Sequence, residues 1–112
     1  MRSRHIEKVL AVVVRRLVRK YHPEKIILFG SYAEGGARSD SDLDILIVKN
    51  TRKRARDRRI EVKKILDTPV EFPPVDAIVM TSGEVRQRLE LMDGFVRTII
   101  ARGRVIYAKA NA

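Results

Sequence analysis

The chain has 112 residues, no cysteine and a formal net charge of +10. This length predicts a single domain over residues 1–112, and the composition excludes disulfides, thiolate metal sites and, for want of an apolar run of about 18 residues, a membrane span. The N-terminus has none of the features of a signal peptide, so we expect a cytoplasmic protein whose positive charge reflects either an anionic partner or an ordinary solvated surface.

The first half of the chain predicts one helix and two short strands. Apolar residues recur at helical spacing over residues 3–21, and the helix stops before Pro23 because the residue preceding a proline avoids the α region. The stretch "KIILF" predicts a buried strand, and "DLDILIV", residues 42–48, predicts a second one. Between them, residues 32–41 predict a turn with room for one helical turn.

The second half predicts three helices and two strands. Residues 51–66 have a helical period and a very basic first half, and a loop over 67–74 carries three of the four prolines. "VDAIVM" predicts a third strand, after which Thr81 and Glu84 form a capping box that opens a helix. Asp93-Gly94 is expected to break that helix, and "FVRTIIAR" predicts the next one. Gly103 is expected as the left-handed residue at the C-terminus of this last helix. "RVIYA" predicts the last strand.

This order of elements predicts an α/β (α+β) domain in which one small sheet is flanked by helices. Too few residues join the first two strands for a helical crossover. We therefore expect those strands to be antiparallel and the sheet to be mixed.

Three aspartates, Asp40, Asp42 and Asp44, lie within five positions at the start of the second strand. Side chains alternate along a strand, so Asp42 and Asp44 should share one face while Leu43 and Ile45 take the other. A divalent cation would turn the repulsion between two carboxylates into coordination, and Mg²⁺ prefers one or two carboxylates together with waters and phosphate oxygens. The alternative is that Asp42 and Asp44 only cap the strand. Asp40 is predicted to be a solvated turn residue.

Three commoner motifs do not fit this segment. An EF-hand loop beginning at Asp40 would need glycine at Ile45 and glutamate at Thr51. A P-loop would need Lys and a hydroxyl residue after Gly35, where the chain has Gly-Ala. The sequence contains no G-x-G-x-x-G, which excludes a Rossmann fingerprint.

What remains is a strand, a Gly-Ser pair, a glycine-containing turn and an S-D-x-D sequence that opens a second strand. Gly30 would let a phosphate approach the backbone closely, and Ser31 offers a hydroxyl and an amide at the start of the turn. A triphosphate between this turn and the carboxylates, with Mg²⁺ bridging phosphate oxygens to Asp42 and Asp44, is the layout of nucleotidyl transfer.

The pattern G-S-x(3)-G-x(5)-S-D-x-D resembles the signature of the nucleotidyltransferase superfamily with a DNA polymerase β-like fold. The short chain resembles the minimal nucleotidyltransferase (MNT) branch over nearly its whole length. The resemblance implies that Asp42, Asp44 and Asp76 bind two Mg²⁺ ions and carry catalysis, although Asp76 alone could equally be an edge or turn residue. The nucleotide-binding residues that it implies are Gly30, Ser31, Gly35, Arg38 and Ser41.

The same resemblance implies transfer of a nucleoside monophosphate, most simply AMP from ATP, to a hydroxyl. MNT proteins are often paired with an all-helical HEPN protein in toxin–antitoxin arrangements, where the MNT chain adenylylates a partner tyrosine. The acceptor surface should come from such a partner or from a second copy of this chain. The chain departs from the branch pattern at Glu34, where Arg is frequent, and at Ser39, where Pro is frequent; Arg38 would supply the replacement charge.

The start of the predicted helix over residues 51–66 is strongly basic, with six cations in eight residues. An exposed helix face is the simplest explanation. The alternative function for the whole chain is a non-catalytic module whose basic face binds an acidic partner protein or, less favoured, RNA. The cations are Arg52, Lys53, Arg54, Arg56, Arg58 and Arg59.

Overall fold

The computed structural model describes residues 2–38, 41–67 and 73–110. Asp40, predicted to be a solvated turn residue, and most of the predicted 67–74 loop lie outside these ranges. The elements in chain order are α1 (Arg2–Lys20), β1 (Lys25–Phe29), α2 (Ser31–Glu34), β2 (Leu43–Val48), α3 (Ala55–Leu66), β3 (Val75–Met80), α4 (Ser82–Glu90), α5 (Gly94–Arg102) and β4 (Arg104–Ala108).

The four strands form one sheet in the order β3-β2-β1-β4. β1 pairs antiparallel with both β2 and β4, whereas β2 and β3 run parallel. The predicted mixed sheet and the antiparallel pairing of the first two strands are therefore confirmed. The parallel pair is possible because the connection through α3 is long enough for a helical crossover.

One face of the sheet is covered by α1 and α3. The alternating residues Leu43, Ile45 and Ile47 of β2 are fully buried on this face, and they meet Val13 and Leu17 from α1. Burial of such side chains contributes about 1.5–3 kcal/mol each before entropy is counted, so this layer supplies most of the hydrophobic stabilisation. Because side chains alternate along a strand, Asp44 of β2 lies on the opposite face.

The other face is covered mainly by α5. Ile27, Leu46 and Ile99 form a second, smaller apolar cluster there, and the rings of Phe29 and Phe95 meet edge to face with centroids 5.7 Å apart. No helix within the described ranges is both long and apolar enough to cross a membrane.

Two local predictions need correction. The third helix begins at Ala55 rather than at residue 51, because the Thr51 hydroxyl accepts a hydrogen bond from the Lys53 amide and holds a turn there. Gly103 has extended backbone, with φ −73°, instead of the left-handed conformation. Glycine is required at this position by packing, since a Cβ would collide with the Ile99 carbonyl and the Ile27 side chain.

Candidate active site

The turn after β1 brings Gly30 against the second strand. Its φ of 73° is a conformation that side-chain-bearing residues rarely adopt. A Cβ on Gly30 would also collide with the carboxylate of Asp44, so the glycine makes room for that carboxylate above the β1–α2 turn. This requirement differs from the expected one, in which the glycine makes room for a phosphate.

Asp44 and Asp76 are direct neighbours in the parallel pair of β2 and β3. Asp42 precedes β2 and has the same parity as Asp44, which places it toward the same face. Asp42 and Asp76 are exposed and Asp44 is half-buried. The structure therefore brings the three sequence-predicted aspartates to one end of the sheet, and none of them forms an ion pair within the described residues.

The electrostatics of this group are unfavourable to a fully charged state. Burial raises the pKa of the Asp44 carboxyl above its usual range, and the negative charges of Asp76 and Asp42 raise it further. A cation would remove this penalty by offsetting the repulsion. We call Asp42, Asp44 and Asp76 the carboxylate group.

The carboxylate group offers ligands to one side of a bound ion and leaves the other side open. In the described part of the chain, no three acidic, histidine or cysteine side chains are arranged to enclose an ion by themselves. Mg²⁺ suits such an arrangement, because it binds through one or two carboxylates and keeps water or phosphate ligands in its other positions. The donor chemistry and the uncompensated charge thus fit a magnesium ion that is shared with a phosphorylated substrate.

The other predicted nucleotide-binding residues lie in the segment between β1 and β2. Ser31 opens α2, whose first amides lack intrahelical acceptors, and Gly35 ends α2 in the left-handed conformation with φ 83°. The Ser41 hydroxyl accepts a hydrogen bond from the Arg38 amide at 2.7 Å, and the Ser41 amide donates to the Arg38 carbonyl at 3.0 Å. Gly35 and Ser41 therefore have evident roles in shaping this segment, and the Arg38 side chain is exposed.

Glu34, the residue that departs from the branch pattern, is part of an ion pair. The Arg102 guanidinium lies 3.4 Å from its carboxylate, and both side chains are well exposed. The pair joins α2 to the end of α5. Its contribution to stability is small at this exposure, but it offsets a negative charge close to the expected triphosphate position. Nothing in the sequence signals this pairing, because the partners are 68 positions apart.

The basic helix is not uniformly exposed. Arg58 retains only 6% of its accessible surface, and its guanidinium donates to the Lys53 carbonyl at 2.7 Å, to the Val79 carbonyl at 3.3 Å and to the Glu84 carboxylate at 2.6 Å. Arg58 is thus a structural residue, and the expectation that it belongs to an exposed basic face is wrong. A signal was present, because Arg58 falls in the helical register of Val62, which is also buried.

The fold is shared with solved structures. One chain, described as "a putative nucleotidyltransferase from Sulfolobus solfataricus", superposes with a TM-score of 0.61 at 22% identity, covering 89% of this chain and 78% of that chain. A chain of a "toxin-antitoxin with AMP-PNP" gives a TM-score of 0.60 at 18% identity, covering 89% of this chain and 73% of that one. At these identities the likeness establishes a common fold alone.

Sequence similarity establishes the family. Residues 10–106 match the nucleotidyltransferase domain family. The chain is also 32% identical, over 108 residues, to a "Putative protein adenylyltransferase" of Methanocaldococcus jannaschii, with 90% of this chain and 97% of that protein covered. The chain belongs to the nucleotidyltransferase domain family and is a nucleotidyltransferase, as its sequence pattern predicted.

Proposed function

We propose that this nucleotidyltransferase transfers AMP from ATP to a hydroxyl of a partner protein in a reaction that depends on Mg²⁺. The observation that carries the proposal is the carboxylate group, which stands uncompensated beside the Gly30 turn. The name of the Methanocaldococcus jannaschii relative, a protein adenylyltransferase, supports a protein acceptor and an adenylyl group.

Each residue of the site has a proposed role. Asp42 and Asp44 would hold two Mg²⁺ ions, and Asp76 would help to hold one of them and orient the acceptor hydroxyl. Gly30 and Ser31 seat the β- and γ-phosphates at the start of α2. When bound, the ions would neutralise phosphate charge and stabilise the charge that develops at the α-phosphorus. The remaining nucleotide contacts are assigned to Gly35, Arg38 and Ser41.

The transfer step is an in-line displacement. The acceptor oxygen attacks the α-phosphorus, and the bond from that phosphorus to the oxygen that bridges it to the β-phosphate breaks. Pyrophosphate leaves with the electrons of that bond, and the proton of the hydroxyl passes to solvent. Asp76 lies at the edge strand of the sheet, so an acceptor can approach it from outside the domain.

The partner is proposed to be a HEPN-type helical protein, with this chain as a single-domain antitoxin spanning residues 1–112 in the cytoplasm. The structural likeness to a chain of a toxin–antitoxin complex with AMP-PNP supports both the pairing and ATP as substrate. A second copy of this chain is the other candidate for the acceptor surface.

The competing proposal is a non-catalytic module that binds an acidic partner or RNA through α3. The exposed cations Arg56 and Arg59 favour it. A glutamate at position 34 would also favour it, because a carboxylate there opposes a triphosphate, but the pairing of Glu34 with Arg102 offsets that charge. Since a scaffold has no use for three uncompensated carboxylates, we place catalysis first.

A labelling experiment separates these functions. The protein is mixed with Mg²⁺ and with ATP labelled at either the α- or the γ-phosphate. The proposed partner, the helical protein encoded by a neighbouring reading frame, is added to the same mixture. We expect the partner to retain the α-label and not the γ-label. Asp76→Asn should abolish labelling, whereas Asp57→Asn, an exposed aspartate in the first turn of α3, should not. Tight binding of the partner without any label in it would instead favour the non-catalytic module.

A further inference from the structure

A cavity of about 660 Å³ lies between α3 and strand β3. α3 contributes Arg56, Arg59 and Lys63 to its lining, and these positions fall on one side of the helix because they are spaced three and four apart. β3 contributes residues 75–77, so Asp76 of the carboxylate group also borders the cavity. We call this cavity the α3–β3 groove. Its volume lies in the range of ordinary ligand sites, so it can receive side chains of another molecule.

The strand that borders the groove is an edge strand, because among the strands that the structure describes β3 pairs only with β2. The Leu43 amide donates to the Pro74 carbonyl at 2.8 Å and the Lys49 amide to the Met80 carbonyl at 2.9 Å, so even-numbered residues of β3 turn their backbone groups toward β2. The odd-numbered ones turn outward. Val79 already accepts a bond from Arg58, and the outward groups of Val75 and Ala77 have no partner within the described ranges.

Side-chain alternation connects this edge to the carboxylate group. Asp76 points to the face that carries Asp44, whereas Val75 and Ala77 pack against the core beneath α3. A further strand would lie about 4.8 Å beyond β3, and its side chains would alternate in the same way. One set would stand beside Asp76, and the other would enter the α3–β3 groove.

The groove cations are available for an external partner. Elsewhere on or beside α3, Lys53 pairs with Glu61 and Arg58 with Glu84. No ion pair is formed by the three groove cations with any residue that the structure describes. The lining also includes the carboxylates of Asp67 and Asp76, so its three cations leave a net positive charge. That charge favours acidic side chains over basic ones.

We propose that β3 receives an extended acidic segment of the partner protein as a fifth strand, with a hydroxyl residue beside Asp76 and acidic residues at the adjacent positions in the α3–β3 groove. The inference rests on the proposed function and defines its acceptor. Backbone hydrogen bonds to Val75 and Ala77 give affinity and register, as in other cases of strand addition. The groove cations then specify acidic residues one position before and after the hydroxyl residue.

Two other occupants fit less well. A second copy of this chain would bring two proteins of charge +10 together with their α3 cations facing each other, which is repulsive. A single-stranded RNA would gain from aromatic side chains on which bases stack, and the described lining of the groove has none. Cations beside an edge strand also discourage aggregation, and that role would require no acidic ligand.

Peptide binding tests the proposal. The first peptide is extended, with one tyrosine and glutamate at the two adjacent positions; the second has the same composition with both glutamates moved one position outward, onto the tyrosine's own face. We expect the first peptide to bind at least about tenfold more tightly by fluorescence anisotropy, with an advantage that shrinks in high salt. Equal affinities would overturn the proposed register.

Variants on the protein side complete the test. Arg56→Glu with Arg59→Glu should remove the preference. Both changes suit a helix, since the first glutamate would lie in the first turn of α3 and the second would precede Lys63 by four residues. The matched control, Arg15→Glu with Arg19→Glu, makes the same charge change on exposed positions of α1 and should keep the preference. If both double variants lost the preference for the first peptide equally, the preference would come from the overall charge of the protein and not from the groove, and the proposal would be overturned.

The role of the strand edge is tested on the peptide. Methylation of the backbone nitrogens that would face β3 should abolish binding, while methylation of the alternate nitrogens should not. If both methylated peptides bind alike, strand addition is wrong. A melt of the protein with Mg²⁺ and ATP but no peptide separates this failure from a failure of the nucleotide site: stabilisation by ATP without peptide discrimination overturns only the acceptor proposal.

Discussion

Strand β3 carries a charged cluster at each end, and the two clusters differ in how their charges are compensated. At its start, Asp76 stands beside Asp44, and neither carboxylate forms an ion pair with any residue that the structure describes. At its end, the buried guanidinium of Arg58 is bound by the Val79 carbonyl and by the Glu84 carboxylate. The chain contains 24 Lys and Arg residues against 14 Asp and Glu, so a shortage of cations does not explain the unpaired aspartates.

The difference separates a structural charge from a functional one. A buried charge without partners is costly, so a group that only supports the fold is expected to be saturated, as Arg58 is. The carboxylate group keeps an electrostatic penalty that a bound cation and substrate would remove. The aspartates should therefore be expendable for folding and essential for transfer, and Arg58 and Glu84 should show the opposite pattern.

The largest expected effect is on the carboxylate side. Asp44→Asn should lower the transfer rate by at least about 100-fold, because it removes a charge that acts on the reacting phosphate. Its stability in the absence of metal should equal or exceed that of the wild type, since the amide relieves repulsion from Asp76 and Asp42. Rates from labelled ATP and urea unfolding of the same preparation check both halves. A clear loss of metal-free stability would assign Asp44 a structural role.

At the end of β3, where the charges are paired, Glu84→Gln should reduce the free energy of unfolding by about 2–3 kcal/mol. The reason is that it leaves the Arg58 guanidinium buried without its counter-charge. Glutamine can still serve in the capping box with Thr81, so the change isolates the ion pair. The control is Glu61→Gln, which breaks the exposed pair with Lys53 and should cost less than about 1 kcal/mol. Equal costs in urea unfolding would contradict the distinction between the two pairs.

Gly30 links the carboxylate group to the turn before α2. Gly30→Ala should destabilise the fold by about 1–3 kcal/mol, because alanine must adopt a backbone conformation close to glycine-only. Its Cβ should also displace the Asp44 carboxylate and weaken ATP binding. Gly36→Ala, at a position where a Cβ meets open space, is the control and should be close to neutral in thermal melts. Similar effects for both variants would show that the Gly30–Asp44 contact is unimportant.

The smallest effect is a pH dependence of the Arg58–Glu84 pair. The hydrogen bond from Arg58 lowers the pKa of Glu84 in the folded protein. The unfolded carboxyl, with its usual pKa of about 4.3, therefore takes up a proton first as the pH falls, and stability is lost through this acid range. The stability gap between the wild type and Glu84→Gln should narrow from pH 7 to pH 3 in urea unfolding. A constant gap would show that charge pairing does not determine the cost.

Much of the fold and the position of the candidate site could be predicted from local sequence. Period-two alternation placed Asp44 on the face opposite Leu43, and the short connection after β1 required an antiparallel return that brings Gly30 to the carboxylates. β1, β3 and β4 were predicted residue for residue. These features depend on neighbours in the chain and on strand geometry, which local patterns record.

Contacts between distant segments could not be predicted in the same way. Arg58 and Glu84 are 26 positions apart, and the pairing of Glu34 with Arg102 spans 68. A charged residue on a basic helix is usually exposed, so the burial of Arg58 contradicts the default. A charge reversal at Arg54 and Arg58, which such a pattern suggests as a test of a docking face, would instead remove the buried guanidinium that binds Val79 and Glu84.

The central claim is that the carboxylate group is left uncompensated in order to bind a cation together with a triphosphate. Thermal melts of the wild type and of Asp44→Asn with Mg²⁺ alone, ATP alone and both together test it most directly. We expect Mg²⁺ and ATP together to stabilise the wild type beyond the sum of their separate effects, by about 2.7 kcal/mol at 100 times the dissociation constant. Asp44→Asn should lose this synergy. Absence of any shift with Mg²⁺ and ATP or another nucleoside triphosphate, or an equal shift in the variant, would contradict it.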